Sequence, residues 1–249
     1  MAETRLKSVL ITGAGRGLGR ACALRFAEEG YAVIINDIDA ENANSVKKEI
    51  ESANGQAEAM CGDVRDYHQV DKICEKIAAA FGTLDVLVNN AGIAIPGSLK
   101  FYGSDEWERT KAVNIIGVFN CSKAALKHMI KQKSGVIINF SSCITAYGSS
   151  HEIGYAVSKG VIDAFTKSLA REVGKYNIRV NAVQPLILDT EMSQEFGERF
   201  SDSLAFVKAV ASLKSYVSVD DVANAVLLLA SKEAKFMTGK LLKVDAGAF

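Results

Sequence analysis

Ser8-Val-Leu-Ile-Thr12-Gly13-Ala-Gly-Arg16-Gly17-Leu18-Gly19 decides how the rest of this 249-residue chain is read. The run Ser8–Thr12 is short and apolar without alternation, the pattern of a strand buried on both faces of a parallel sheet. Glycines follow, and then a helical pattern through about Glu29. Strand, glycine turn and helix in that order give a dinucleotide pyrophosphate what it needs. The glycines allow a tight turn and close backbone approach, and the helix N-terminus favours negative charge. A glycine cluster alone is equally a flexible turn; the flanking elements make the difference.

Working outward, Tyr31-Ala-Val-Ile-Ile-Asn-Asp37 reads as a second strand ending in an acid eighteen residues after Gly19. That is close to the ~20-residue offset at which a carboxylate accepts the adenosine ribose hydroxyls. Its other reading is a cap for the next helix, 39–53, which Asp39 supplies equally well. A third strand, Ala57–Cys61, leads to Gly62-Asp63-Val64. Asp63 either faces an adenine edge or caps the helix Asp66–Phe81. Leu84-Asp-Val-Leu-Val-Asn-Asn-Ala-Gly92 is a fourth strand and its exit, with asparagines suited to a packed backbone crossing or to a local turn. A long helix over Ser104–Lys131 holds Asn114 among apolar neighbours, as a structural pin or part of a polar relay. The apolar run Val136–Phe140 leads to Ser142, a helix spans Ile153–Tyr176, and Arg179–Val183 is a sixth strand before Pro185.

The chemistry concentrates in Ser142 and Tyr155-Ala-Val-Ser-Lys159. Tyrosine and lysine four residues apart share one helix face. A tyrosine of pKa ~10 becomes a base near pH 7 only if about 4 kcal/mol favours its phenolate. A lysine ammonium about 4 Å away supplies roughly that much at an effective dielectric of ~20, and a cationic nicotinamide would push the same way. The pair is thus expected to take a hydroxyl proton while a hydride leaves the same carbon. Ser142, thirteen residues earlier at a strand's carboxyl end, is placed to hydrogen-bond the reacting oxygen. Taken alone, Tyr-x-x-x-Lys is more often a half-buried tyrosine beside a solvated lysine.

Composition narrows the classes. Nearly half the residues are apolar and two are proline, so long regular elements around a large core are expected. The charges balance at 29 and 29, which argues against a nucleic-acid or membrane-surface partner. No run of about 18 apolar residues occurs and no apolar leader follows Met1. Cys22, Cys61, Cys74, Cys121 and Cys143 show no C-x-x-C and no metal-ligand spacing. They read as reduced thiols of a cytoplasmic protein, with no metal site. His68 and His128 read as surface residues.

The ordered set Thr12-Gly13-x-x-x-Gly17-x-Gly19, Asp63-Val64, Asn89-Asn90-Ala91-Gly92, Asn114, Ser142, Tyr155-x-x-x-Lys159 and Val244-Asp245 resembles the short-chain dehydrogenase/reductase family over essentially the whole chain. The resemblance implies an α/β fold: one Rossmann-type, doubly wound parallel sheet of about seven strands with helices on both faces, residues 1–249 forming one catalytic domain. It implies hydride transfer between a nicotinamide cofactor and an alcohol or carbonyl carbon. Tyr155 would be the acid/base, Lys159 would tune it and hold the nicotinamide ribose, Ser142 would orient the substrate oxygen and Asn114 would support a water-linked relay. The cofactor would lie along Gly13, Arg16, Gly17, Leu18, Gly19, Asp37, Asp63, Val64, Asn90, Ala91, Gly92, Tyr155, Lys159, Pro185, Leu188 and Thr190. Ser142, Ile144, His151 and Leu186 would face substrate, His151 being otherwise a solvent-facing loop residue. A homotetramer, or a homodimer, is implied as well.

Two departures from the family pattern stand out, the minor one being Val244-Asp-Ala-Gly247 where two glycines are common. Pro185-Leu186 replaces the family's usual Pro-Gly and adds bulk beside the nicotinamide. The variable lid, about 190–217, mixes Phe196, Phe200, Leu204, Phe206 and Val207 with charges but carries no basic cluster, which weakly disfavours an acyl-carrier-protein partner. Hydroxysteroid, 3-oxoacyl thioester, sugar or polyol, and small cyclic ketones all fit. A dinucleotide-binding regulator is the reading from another class, and it would be expected to lack the serine, tyrosine or lysine. For the cofactor, Arg16 in the glycine turn suits the 2′-phosphate of NADP, whereas Asp37 suits the free ribose of NAD and repels that phosphate. Ile38 offers no second cation, so NAD is expected over NADP.

Overall fold

A computed structural model describes residues 6–188, 190, 205 and 208–249. Most of the segment read as a lid, including Phe196, Phe200, Leu204, Phe206 and Val207, lies outside the described residues. Seven parallel strands form one sheet in the order β3-β2-β1-β4-β5-β6-β7. They are β1 (Ser8–Thr12), β2 (Ala32–Asn36), β3 (Gln56–Ala59), β4 (Val86–Asn89), β5 (Gly135–Phe140), β6 (Ile178–Pro185) and β7 (Leu241–Val244). The flanking helices are α1 (Gly17–Glu28), α2 (Ala40–Ser52), α3 (Tyr67–Phe81), α4 (Ser104–Lys111), α5 (Val118–Gln132), α6 (Ile144–Tyr147), α7 (Ile153–Val173) and α8 (Val219–Ala230).

Alternation along each strand builds the two layers. Val9 and Ile11 of β1, with Val33 and Ile35 of β2, pack on the side of Phe26 in α1 and Val222 and Val226 in α8. Leu10 and Ile34, between them, face Ile73 and Ile77 of α3 and Ala124 of α5. Because both faces are covered, β1, β2 and β4 are buried along their whole length. At the sheet's edge β3 is different. Its residues Gln-Ala-Glu-Ala are exposed or half-buried, and the strand ends at Ala59 rather than Cys61.

The helix read as continuous from Ser104 to Lys131 is interrupted. Residues Ala112–Gly117 adopt a π-helical turn between α4 and α5, centred on Asn114, a local rewinding that tends to mark functional segments. His128 also departs from its surface reading. It is half-buried on α5, and its Nε2 has no hydrogen-bond partner; burial pulls its pKa down. His68 is exposed.

Strand order places the site. Chain direction across the sheet reverses between β1 and β4, and such a switch point opens a crevice at the carboxyl ends of the strands. Two segments far apart in sequence are stitched together there. Asn90, leaving β4, donates its Nδ2 to the carbonyls of Thr12 (3.0 Å) and Gly13 (2.8 Å). In return Thr12 Oγ1 accepts the N–H groups of Asn90 and Ala91, each at 3.1 Å. Asn90 thus secures a packed backbone crossing rather than a local turn.

Candidate active site

A cleft of about 540 Å³ runs across the carboxyl ends of β1, β2, β4, β5 and β6. One end is built by the glycine turn. Gly13 and Gly17 hold φ +61° and +52°, where a side chain would be strained. Helix α1 starts there with no side-chain cap and no acid in its first turn, so its N–H groups and dipole are left for an anion. Asp37 stands beside it. Its Oδ2 accepts the Gly15 N–H at 2.8 Å and its Oδ1 the Asp39 N–H at 3.0 Å. The capping role left open for Asp37 is performed by Asp39, whose Oδ1 accepts the Glu41 and Asn42 N–H groups at 2.9 and 3.1 Å. Asp66 likewise caps α3, accepting from His68 and Gln69. That leaves Asp63 on the cleft wall, where the Arg65 guanidinium (Nε to Oδ2, 2.8 Å) holds its carboxyl below the usual range.

The other end is built by α6 and α7. Ser142 follows β5; its Oγ accepts the Ile144 N–H at 3.2 Å, and it lines the cleft together with Tyr155. Lys159 sits one turn further along α7, buried, with Nζ 5.4 Å from the centre of the Tyr155 ring. Nζ donates to the Phe140 carbonyl at 2.7 Å.

The expected lowering of Tyr155 by Lys159 is not what these charges produce. Burial, and after it the negative charge of Glu152, raises the Tyr155 pKa, against the hydrogen bond from Ser142. Burial also pulls Lys159 down to about 8. Lys159 is buried and Tyr155 half-buried, withdrawal from water penalises each charged form, and the ammonium donates to a backbone carbonyl. Within the chain's own residues, desolvation outweighs the ion-pair gain estimated for a pair in a wetter setting.

The comparisons agree with this architecture. The family model described as short chain dehydrogenase matches residues 7–200. The chain belongs to the short-chain dehydrogenase/reductase family. It is 37% identical over 241 residues to the 3-oxoacyl-[acyl-carrier-protein] reductase FabG of Thermotoga maritima, covering 97% of each chain. To the protein of that name from Staphylococcus aureus (strain Mu50) it is 37% identical over 244 residues, covering 98% of each. An uncharacterized oxidoreductase of Thermotoga maritima is 38% identical over 245 residues, with 97% of each chain covered. As a short-chain dehydrogenase/reductase, the chain is an oxidoreductase that acts on the CH–OH group with a nicotinamide cofactor.

The cleft gathers nearly every residue that the sequence singles out. Gly13, Arg16, Gly17, Leu18, Gly19, Asp37, Asp63, Val64, Asn90, Ala91, Gly92, Pro185, Leu188 and Thr190 line it, together with Ser142, Ile144, Tyr155, Lys159 and Leu186. Two do not. His151 is exposed at φ +67°, and its carbonyl accepts the Gly97 N–H at 2.7 Å; the turn into α7 carries the ring away from the lining residues. Asn114 lies behind the wall, and three hydrogen bonds hold its side chain. Nδ2 donates to the Ile93 carbonyl (2.9 Å) and Ser158 Oγ (3.0 Å), while Oδ1 accepts the Ile93 N–H (2.9 Å). The Asn114 side chain therefore positions the 92–94 backbone against α7.

Glu152, Tyr147 and Arg109 line the cleft as well, and none is evident from the sequence motifs. Only Glu152 leaves a signal there, by standing three residues before Tyr155. Cys143, beside Ser142, is a packing residue. It is buried against Leu186, its Sγ donates to the Gln184 carbonyl, and burial pushes its thiol up to about 12.

Leu186 is buried at 5% exposure, its N–H donating to the Val244 carbonyl at 3.1 Å. In this family member the leucine therefore forms a fixed wall. Leu186→Gly should widen the accepted size range on a graded series of ketones and lower stability by about 2–4 kcal/mol through the lost packing. An unchanged size preference would place Leu186 outside substrate contact.

Proposed function

We propose that the chain is an NAD(H)-preferring dehydrogenase/reductase of small secondary alcohols and ketones, working as one catalytic domain over residues 1–249 with a lid at about 190–217. One observation carries the reading: Ser142, Tyr155 and Lys159 line the same cleft as a dinucleotide cradle with Asp37 beside it. The residues fit such a cofactor. The uncapped start of α1 and the strained glycines suit its pyrophosphate, Asp37 its adenosine ribose, and the Asp63–Val64 wall its adenine. When bound, the nicotinamide supplies the hydride acceptor or donor.

The chain's own part is to bind, orient and move a proton. Ser142 Oγ holds the substrate oxygen, and Tyr155 Oη exchanges a proton with that same oxygen. Lys159, fixed on the Phe140 carbonyl, keeps a cationic donor beside the ring. Leu186, Ile144 and Tyr147 shape the apolar side of the substrate space.

The preference for NAD(H) rests on charge placement. A 2′-phosphate at Asp37 would face a carboxylate held by two backbone N–H groups, and Ile38, 65% exposed, brings no cation. Arg16 and Arg65 line the same cleft, but Arg65 is paired with Asp63. The expected preference is about 10- to 100-fold in kcat/KM, roughly 1.4 to 2.8 kcal/mol. Asp37→Ala with Ile38→Arg should erase or reverse it. Specificity constants measured with both cofactors decide, and a wild-type preference for NADPH would overturn the role given to Asp37.

A second reading, reduction of a 3-oxoacyl thioester, is favoured by the names of the relatives; hydroxysteroid oxidation also suits the apolar wall. Turnover of a panel of cyclic ketones, hydroxysteroids, polyols and 3-oxoacyl thioesters separates these. Self-association, as a homotetramer or homodimer, is supported by exposed Ile116 and Phe119 before and within α5 and by Val157 and Val161 on α7; light scattering measures it. Five free thiols, four of them buried, suit the reducing cytoplasm. No helix among the described residues is long and apolar enough to cross a membrane.

A further inference from the structure

Glu152 stands at the N-cap of α7, three residues before Tyr155. Residues so spaced lie on the same side of a helix's first turn. Its carboxylate does not perform the usual task of that position, because α7 begins with no side-chain cap hydrogen bond. No ion pair among the described residues includes it. It is half-buried and lines the cleft beside Ser142, Tyr147 and Tyr155.

The backbone holds it in place from both sides. Glu152 bridges to Gly97, and the Gly97 N–H donates to the carbonyl of His151. Gly154, next but one, is pressed on Tyr102 so closely that a Cβ would come within 2.3 Å of its Oη. Tyr102 Oη is in turn tied to Thr110 Oγ1 at 2.9 Å. Burial raises both neighbouring phenols, Tyr155 and Tyr147, and the negative charge of Glu152 adds to it. Arg109, the cationic residue that α4 contributes to the cleft wall, forms no salt bridge with it.

A half-buried carboxylate to which no protein group donates depends on cleft water for its hydrogen bonds, and a bound ligand displaces that water. A ligand that brings a donor restores that bond, whereas one that brings a second acceptor is repelled. We infer that Glu152 determines substrate specificity by accepting a hydrogen bond from a hydroxyl or ammonium group on the carbon next to the reacting one. The substrate class is then vicinal polyols or amino alcohols and their ketones. A 3-oxoacyl thioester presents a carbonyl near that place and is disfavoured. The inference rests on the proposed Ser142–Tyr155 chemistry for the position of the reacting carbon.

Three probes share one ring: cyclohexanol, vicinal cyclohexanediol and vicinal aminocyclohexanol. Binding is read first, from the rise in unfolding temperature of the NADH-loaded enzyme as each alcohol is added, since an alcohol beside NADH has no hydride acceptor. In the wild type, the two donor-bearing probes should reach half-saturation at concentrations about 10-fold below cyclohexanol. Glu152→Ala should erase both differences. Glu152→Gln should erase the advantage of the amine but keep part of that of the diol, because an amide oxygen still accepts from a hydroxyl. A wild-type ratio near one, or a ratio that survives Glu152→Ala, overturns the inference. If the alanine variant fails to fold, the amino alcohol on Glu152→Gln decides by the same criterion.

Turnover is read second, as the ratio of kcat/KM between probes with NAD. Oxidation of all three alcohols without a binding preference would leave the proposed function standing and remove Glu152 from it. A binding preference without any oxidation would do the opposite.

Discussion

Tyr155→Phe should lower kcat on the best substrate by about 10²-fold or more, with cofactor affinity nearly unchanged. Phenylalanine keeps the ring that packs beside Lys159 and removes only the hydroxyl. Lys159→Ala should damage both kcat and cofactor binding, since its ammonium is buried on the Phe140 carbonyl inside the cofactor cleft. The pH profile carries a sign. Burial and Glu152 raise Tyr155, with Tyr147 adding to them and the Ser142 bond opposing. Alcohol oxidation, which needs the phenolate, should therefore increase as pH rises. Glu152→Gln removes one raising charge and should shift that rising limb to lower pH. Steady-state kinetics of the three variants across pH check this, and normal turnover by Tyr155→Phe would end the acid/base assignment.

Gly19→Ala should be the most damaging single methyl in the chain's cofactor end. A Cβ there would lie 2.1 Å from the Gly13 carbonyl oxygen, 2.5 Å from Asn90 Nδ2 and 2.9 Å from Ala14 Cα. Two of these are backbone atoms of the turn, and the third belongs to the side chain that ties β4 to Thr12 and Gly13. Helix α1 can accept the methyl only by moving away from β1, which opens the turn. The expected cost is about 3 kcal/mol or more, with dinucleotide affinity falling by over ~10-fold through loss of the helix-terminus anion site. Gly174→Ala, where nothing lies within 4 Å of a Cβ, should change stability by less than about 1 kcal/mol. Denaturant unfolding and cofactor titration of both variants measure the contrast. A Gly19→Ala protein as stable as the Gly174→Ala one would show that the turn has slack.

What the sequence alone determines is whatever depends on neighbours along the chain. Val9-Leu-Ile11 and Val33-Ile-Ile35 are apolar without interruption because parallel strands here are covered on both faces, so strands, turn and order were legible. Spacing also places Tyr155 and Lys159 on one face of α7, and the cleft receives them together with the glycine turn and Asp37. Legibility falls where local pattern is weak. Edge strand β3 has no apolar run, and the π turn around Asn114 replaces a helical pattern that reads as unbroken.

Tertiary structure decides what depends on distance through space and on access to water. Asp37 is released to the cleft because Asp39 performs the capping, a choice between two acids that their spacing leaves even. His151 is turned outward by its own backbone, and His128 is half-buried by the packing of α5. The sign of the Tyr155 shift shows the difference most clearly. Counted along one helix, a lysine one turn away lowers the phenol. Folded, desolvation raises it and pulls the lysine itself down to about 8, because a charge taken from water is penalised by the whole surrounding protein and relieved only by the groups aimed at it.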